Sequence, residues 1–155
     1  MNLLHKIPLK INVLFLIASL LFSSCITVKL ISDYDEITDQ TLHELQESTA
    51  TYFVQLERDL TDEDGITQYE DYTVFFDRAK IHLNTLKIRT RAFEKNRIVV
   101  NQVDELATMF DNLEKAHQIG FQSAEAIAPP LNSFNTAFTA IAKLQIALKR
   151  GNTNQ

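Results

Sequence analysis

The chain has 155 residues, of which 20 are acidic and 15 basic, so its formal net charge is −5 at pH 7. That length suits one domain with a hydrophobic core and is short for two. The acidic balance excludes a basic surface for nucleic acid, so we expect no nucleic-acid partner. A single cysteine excludes an internal disulfide framework, and only three glycines and three prolines predict long helices over many short strands.

The first residues have the pattern of a secretory signal peptide, predicted to span residues 1–24 and to be cleaved. Lys6 and Lys10 supply a basic start without an acid, and residues 13–22 form an apolar run interrupted only by Ser19. A membrane-spanning helix needs about 20 apolar residues. Two serines follow the run too early for that length, so an uncleaved anchor is the less favoured alternative.

The sequence Ser23-Ser24-Cys25 closes this segment on the single cysteine of the chain. It resembles the lipobox of bacterial lipoproteins, in which the leader is cut just before the cysteine and the lipidated cysteine becomes the new N-terminus. Phe22 stands where that family usually has an aliphatic residue, so cleavage without lipidation stays open as an alternative. Together with the helical pattern described below, the mature chain resembles the small helical lipoproteins of bacteria.

This resemblance implies a location and a first partner. Residues 25–32 would form a lipidated tether, and the partner would be a membrane of the bacterial cell envelope, bound through the N-terminal lipid. Ile26 follows the cysteine where an aspartate would signal retention at the inner membrane. By that resemblance, we expect the outer membrane, with the domain facing the periplasm.

A first helix is predicted to begin at Ser32 or Asp33, both favourable N-caps, with Asp35 and Glu36 at the spacing of a capping box. Apolar and threonine residues then recur at alternating intervals of three and four, the spacing of one helix face. An acidic segment around Gly65 predicts its end. The face comprises Ile37, Thr41, Leu45, Thr49, Tyr52, Leu56 and Leu60.

Three further helices follow with the same periodicity. The second is predicted to run to about Asn96, the third to end at Gly120 as a C-terminal cap, and the fourth to carry Pro130 in its first turn. The domain is thus predicted over residues 33–151, with a frayed tail at residues 152–155. The faces comprise Tyr69, Tyr72, Phe76, Ala79, Leu83, Leu86, Thr90 and Phe93; then Val99, Val103, Leu106, Phe110, Leu113 and His117; then Leu131, Phe134, Phe138, Ile141, Gln145 and Leu148.

Four amphipathic helices joined by short connections predict an all-α fold, an antiparallel up-down four-helix bundle. Charge supports the first hairpin, because residues 33–77 carry 14 acids and one base, whereas residues 78–97 carry seven bases and one acid. An antiparallel pair brings these blocks together and places Arg89 level with Asp39. We favour this internal pairing. The alternative is that Arg89 and Arg91 bind an acidic partner or lipid headgroups.

One motif invites a metal interpretation. Glu114-x-x-His117 has the spacing of di-iron bundle proteins, but the predicted fourth helix has no acid to complete such a site. A single-metal site is another possibility, because His43 and Glu47 are four residues apart and the hairpin brings His82 near them. The alternative is two surface histidines, with His117 capping a helix or half-buried near a helix C-terminus, where its charge is favourable.

Aromatic residues concentrate near the first hairpin turn, where rings at helical spacing are expected to form core. Phe53 and Phe75 differ, because each lies one position off the predicted face. They are therefore candidates for the edge of a groove that binds a partner helix or an apolar ligand.

The sequence contains no Gly-rich phosphate loop, no Gly-x-Ser-x-Gly elbow and no Cys-x-x-Cys motif. We therefore expect no enzymatic activity and no cofactor. The leading hypothesis is a non-enzymatic cell-envelope lipoprotein, a helical interaction or spacer module that binds another envelope protein. The alternative is a periplasmic helical bundle that binds a metal or a small apolar ligand.

Overall fold

The computed structural model describes residues 33–62 and 67–153, and this part of the chain consists of helices without a strand. The predicted all-α four-helix fold is confirmed. The predicted signal peptide, Cys25 and the tether lie outside the described residues. The four α-helices are α1 (Glu36–Thr61), α2 (Thr73–Ala92), α3 (Arg97–Ile119) and α4 (Ala128–Thr153), and 3-10 turns at Tyr69–Tyr72 and Ala124–Ile127 precede α2 and α4.

Helix α1 begins slightly later than predicted. Its N-cap is Asp35, whose carboxylate accepts the backbone N–H of Thr38 at 3.1 Å and the hydroxyl of Thr38 at 2.6 Å. The capping rule was right, but the prediction of Ser32 or Asp33 as the cap was wrong. In the first turn of α1, Thr38 is buried and Ile37 is half exposed, so the prediction of Ile37 on the buried face was wrong.

Helix α2 ends at Ala92, short of the predicted boundary at Asn96. Lys95 has a φ of 59°, in the left-handed region, so the chain turns there. The buried side chain of Asn96 donates from Nδ2 to the carbonyl of Thr90 at 2.7 Å, and the backbone carbonyl of Asn96 accepts the N–H of Val100 at 3.0 Å. Asn96 thus gives a hydrogen-bond donor to the end of α2 and an acceptor to the start of α3.

Helix α3 ends as predicted. Gly120 has a φ of 95° and donates its N–H to the carbonyls of Ala116 and His117 at 3.1 and 2.9 Å. Glycine adopts this backbone conformation without a steric penalty, which explains the residue at this position. Helix α4 carries Pro129 and Pro130 in its first turn, where the N–H groups that proline lacks have no partner within the helix.

Consecutive helices pack against each other, and α1 also contacts α4, which closes the four-helix bundle. The hairpin of α1 and α2 is antiparallel, since Tyr72 before α2 hydrogen-bonds Asp59 near the end of α1, while Arg89 near the end of α2 binds Asp35 at the start of α1. The buried core contains Leu45, Tyr52, Phe53, Leu56, Phe76, Leu83, Leu86, Val103, Leu106, Phe110, Leu113, Phe134, Phe138 and Ile141, among others.

The buried threonines predicted on the helix faces are satisfied locally. The hydroxyls of Thr49 and Thr90 donate to the carbonyls four residues earlier, at 2.7 and 2.8 Å. Such back-bonding lets a threonine occupy a core position without an unpaired hydroxyl. In the described residues, no helix is both long enough and apolar enough to cross a bilayer.

Candidate functional site

A polar pair lies in the aromatic core between α1 and α3. The hydroxyl of Tyr52 is 2.7 Å from Nδ1 of His117, and these residues are only 2% and 1% exposed. The rings of Tyr72, Phe76 and Phe121 surround the imidazole, with the nearest centroid, that of Tyr72, at 4.6 Å. His117 is therefore fully buried, and the prediction of a capping or half-buried histidine was wrong.

Burial decides the protonation of this pair. It lowers the pKa of His117 and raises the pKa of Tyr52 well above its ordinary value. At neutral pH both side chains are uncharged, which suits a tyrosine hydroxyl that donates to a neutral imidazole. Within the part of the chain that the structure describes, Nε2 of His117 and Oγ1 of Thr67 are buried without a hydrogen-bond partner. Both residues line an open cavity of about 420 Å³.

Glu114, the partner of His117 in the Glu-x-x-His spacing, serves a different set of contacts. Its carboxylate accepts the Tyr69 hydroxyl at 2.6 Å and the Lys80 ammonium at 2.7 Å. Burial alone would raise the pKa of Glu114, but the hydrogen bonds from Lys80 and Tyr69 outweigh it and lower the pKa. The motif therefore ties α2 and the turn before it to α3.

The three residues predicted to bind a metal do not come together. His43 and Glu47 lie at the surface with Nε2 and Oε1 3.5 Å apart, whereas Nδ1 of His82 lies 3.8 Å from Oε2 of Glu44. Residues 33–62 and 67–151 contain no group of three His, Cys, Asp or Glu side chains that could hold a metal. The predicted site was wrong because His43 borders the α4 side of α1, while Glu44 faces α2.

The two phenylalanines predicted at a groove edge have different surroundings. Phe53 is 2% exposed and packs against Tyr52 and Phe134, so its prediction as an edge residue was wrong. Phe75 is partly buried and stacks on Tyr52, with ring centroids 4.3 Å apart. It lines an open pocket of about 320 Å³ between α1 and α2, with Arg78 also in the wall. A binding role for Phe75 stays a prediction.

The two arginines named as partner-binding candidates form ion pairs within the bundle. Arg89 binds the Asp35 carboxylate through two nitrogens, at 2.6 and 2.8 Å, one helical turn from the predicted Asp39. Arg91 binds Asp104 on α3 at 3.0 Å, although its side chain remains 58% exposed. The expected internal pairing of Arg89 with α1 is confirmed with this shift. A binding role for either arginine stays a prediction.

Three aliphatic side chains on α2 form a surface that the sequence interpretation missed. Val74, Ile81 and Ile88 are 70%, 66% and 63% exposed. We call these three residues the outer face of α2. They recur every seven residues, a spacing that returns to the same side of a helix within about 20°, and they lie opposite the buried Phe76 and Leu83. The missed signal was this second seven-residue series, outside the main apolar face.

No protein-family model, no curated protein and no solved structure matches the chain. Interpretation of the site therefore rests on its residues and their geometry.

Proposed function

We propose that the protein is a non-enzymatic lipoprotein of the bacterial cell envelope, held to a membrane by acyl chains on Cys25. In this proposal the helical bundle is an interaction module that binds another envelope protein. The outer membrane, facing the periplasm, is its proposed location. The lipobox-like sequence Ser23-Ser24-Cys25 supports the anchor.

The observation that carries the interaction role is the outer face of α2. Val74, Ile81 and Ile88 are β-branched aliphatic residues that stay largely exposed on the side of the helix away from the core. Single exposed aliphatic residues are ordinary, but a regular series along one helix is the pattern by which helices recognise other helices. A spacer without a partner would gain nothing from this series.

The buried polar pair of Tyr52 and His117 supports the shape of the bundle, because one hydrogen bond between two side chains that are at most 2% exposed joins α1 to α3.

The anchor is tested by expressing the full chain in a bacterial cell and comparing it with Cys25→Ser. We expect the parent protein to fractionate with membranes and to show, by intact-mass measurement, a mature chain that begins at Cys25 and bears acyl groups. The Cys25→Ser variant should lose the acyl mass. A parent chain without acyl groups would contradict the proposal.

A second candidate function is the binding of a small apolar ligand. A cavity of about 400 Å³ lies between α3 and α4, and it is lined mainly by apolar side chains that include Met109, Phe121 and Phe134. Ligand pockets of this size are commonly apolar with a few polar groups. The test is binding of the fluorescent probe 8-anilino-1-naphthalenesulfonate to the folded chain. Met109→Glu should abolish it, whereas Val54→Glu, on α1 outside the pocket, should not.

A further inference from the structure

We infer that the pocket between α1 and α2 binds a small zwitterion, an α-amino acid with an apolar side chain. This is the pocket of about 320 Å³ that Phe75 and Arg78 line. The inference goes beyond the proposed function, because it assigns a small ligand to the bundle and does not depend on the lipid anchor. Its support comes from two charged side chains in the pocket wall and from the aromatic ring between them.

Two opposite charges stand in this wall without neutralising each other. Asp71 and Arg78 both line the pocket, and within the part of the chain that the structure describes neither side chain forms an ion pair or a hydrogen bond. The other two arginines of α2 differ, since Arg89 and Arg91 are bound by carboxylates of α1 and α3. The pocket therefore keeps an acid and a base available to a ligand.

The spacing along the chain orders these groups. Arg78 follows Asp71 by seven residues, which is about 10 Å along a helix. Phe75 lies between them, four residues after the acid and three before the base, so the three side chains share one side of the helical path. The wall thus presents a carboxylate, an aromatic ring and a guanidinium in that order.

The floor of the pocket is aromatic and the facing wall on α1 is polar. Phe75 stacks on the buried Tyr52, with ring centroids 4.3 Å apart and ring planes 14° apart. The hydroxyls of Ser48 and Thr51 donate to backbone carbonyls of α1, each at 2.9 Å, so their oxygens can still accept from a ligand. Gln55 adds a side-chain amide to this wall.

The charges of the wall select the class of ligand. Asp71 and Arg78 are the charged residues among the described lining, so the lining has no net charge. A simple cation or anion would gain one partner and face a like charge. A zwitterion gains both partners, because its ammonium binds the carboxylate of Asp71 and its carboxylate binds the guanidinium of Arg78.

The size and the ring of the pocket narrow this class further. A volume of about 320 Å³ is near the lower end for small-molecule sites, which favours a single amino acid over a longer peptide. The ring of Phe75 lies between the two charges and offers an apolar surface to the side chain of the ligand. An apolar or aromatic side chain therefore completes the fit.

Saturation-transfer NMR tests the inference, with L-phenylalanine as the probe and the full chain purified in a mild detergent. Detergent alone is the blank. Phenethylamine lacks the carboxylate of the probe, and phenylpropionate lacks its ammonium. We expect each analogue to bind about tenfold more weakly than L-phenylalanine, because each loses one charge-assisted hydrogen bond.

Two variants assign the charges. Arg78→Gln should weaken the binding of L-phenylalanine about tenfold but should not weaken that of phenethylamine, which has no carboxylate. Asp71→Asn should likewise weaken L-phenylalanine but not phenylpropionate. Lys115→Gln and Asp111→Asn are the matched controls, because they change exposed charges of α3 outside the pocket. Both controls should bind L-phenylalanine like the parent, and all four variants should keep the circular dichroism spectrum of the parent.

Three results would overturn the inference. Equal affinities for phenethylamine and L-phenylalanine would show a site for a cation alone. A loss in Lys115→Gln as large as that in Arg78→Gln would show that the pocket is not where the probe binds. Binding of L-phenylalanine no greater than to detergent alone would refute the site itself. The acyl groups on Cys25 are measured separately, so each of these results would leave the proposed anchor intact.

Discussion

Helix α2 carries two rows of large residues at the same seven-residue spacing, and the bundle buries one row while it leaves the other exposed. The inner row, Phe76 and Leu83, is at most 5% exposed, whereas Ile81 in the outer row is 66% exposed. The rows have comparable hydrophobicity, so residue type alone does not separate them. The rows differ in exposure because α1 and α3 cover only one side of α2. The inner row therefore stabilises the fold, whereas the outer row stays exposed.

The largest expected effect on stability comes from a substitution in the inner row. Leu83→Ala should lower the free energy of unfolding by about 2–5 kcal/mol, because it removes buried methyl groups and leaves a cavity. Ile81→Ala, which makes a similar chemical change on the outer row, should change it by less than about 0.5 kcal/mol. Urea unfolding of both variants gives the two values. Equal losses would mean that the outer row also lies in a packed interface in the measured state.

The next effect concerns the polar pair beneath the inner row. Tyr52→Phe keeps the ring but removes the hydroxyl that bonds to Nδ1 of His117. A buried nitrogen would lose its partner, so we expect a loss of about 1–3 kcal/mol in urea unfolding. The double variant Tyr52→Phe, His117→Leu should recover part of this loss, because no buried polar atom of the pair would remain unpaired. A single variant as stable as the parent would show that the hydrogen bond adds little.

A smaller effect is expected at Asp35, which caps α1 and forms an ion pair with Arg89 of α2. Asp35→Ala should cost about 1–2 kcal/mol, through loss of the helix cap. The hydrogen bond from Arg89 lowers the pKa of Asp35 to about 2. The stability from this carboxylate is therefore present above its ordinary pKa and is lost as the pH falls toward 2. Asp33→Ala, outside the cap, is the control, and thermal unfolding at pH 7 and pH 3 measures both changes.

The smallest expected effect is a pH dependence from His117. Burial lowers its pKa in the folded state, so below about pH 6.5 the unfolded chain binds a proton that the folded chain excludes. Stability should therefore fall with decreasing pH, by at most about 1.4 kcal/mol per pH unit from this group. His117→Gln should show a shallower fall between pH 7 and pH 5. Identical slopes in the variant and the parent would contradict the assignment.

Much of the fold could be predicted because it depends on local chemistry. The three-and-four spacing placed Thr49, Thr90 and Gln145 in the core correctly, although all three are polar. Gly120 marked the end of α3 because only a residue without a side chain adopts its conformation easily. Charge segregation predicted the antiparallel hairpin of α1 and α2. These signals act within a few residues or along one helix, so they can be read without knowing the partners of that helix.

The tertiary structure alone decided how the helices are rotated and offset against each other. Neighbouring residues of a helix point about 100° apart, so a small rotation of one helix against another changes which side chains are covered. Phe53 therefore lies in the core while Phe75 lines a pocket. For the same reason His82 lies near Glu44 and not between His43 and Glu47. The same packing buried His117 and left Val74, Ile81 and Ile88 uncovered. Sequence periodicity by itself determined four amphipathic helices, but it could not determine which residues of different helices meet, because that depends on contacts between distant parts of the chain.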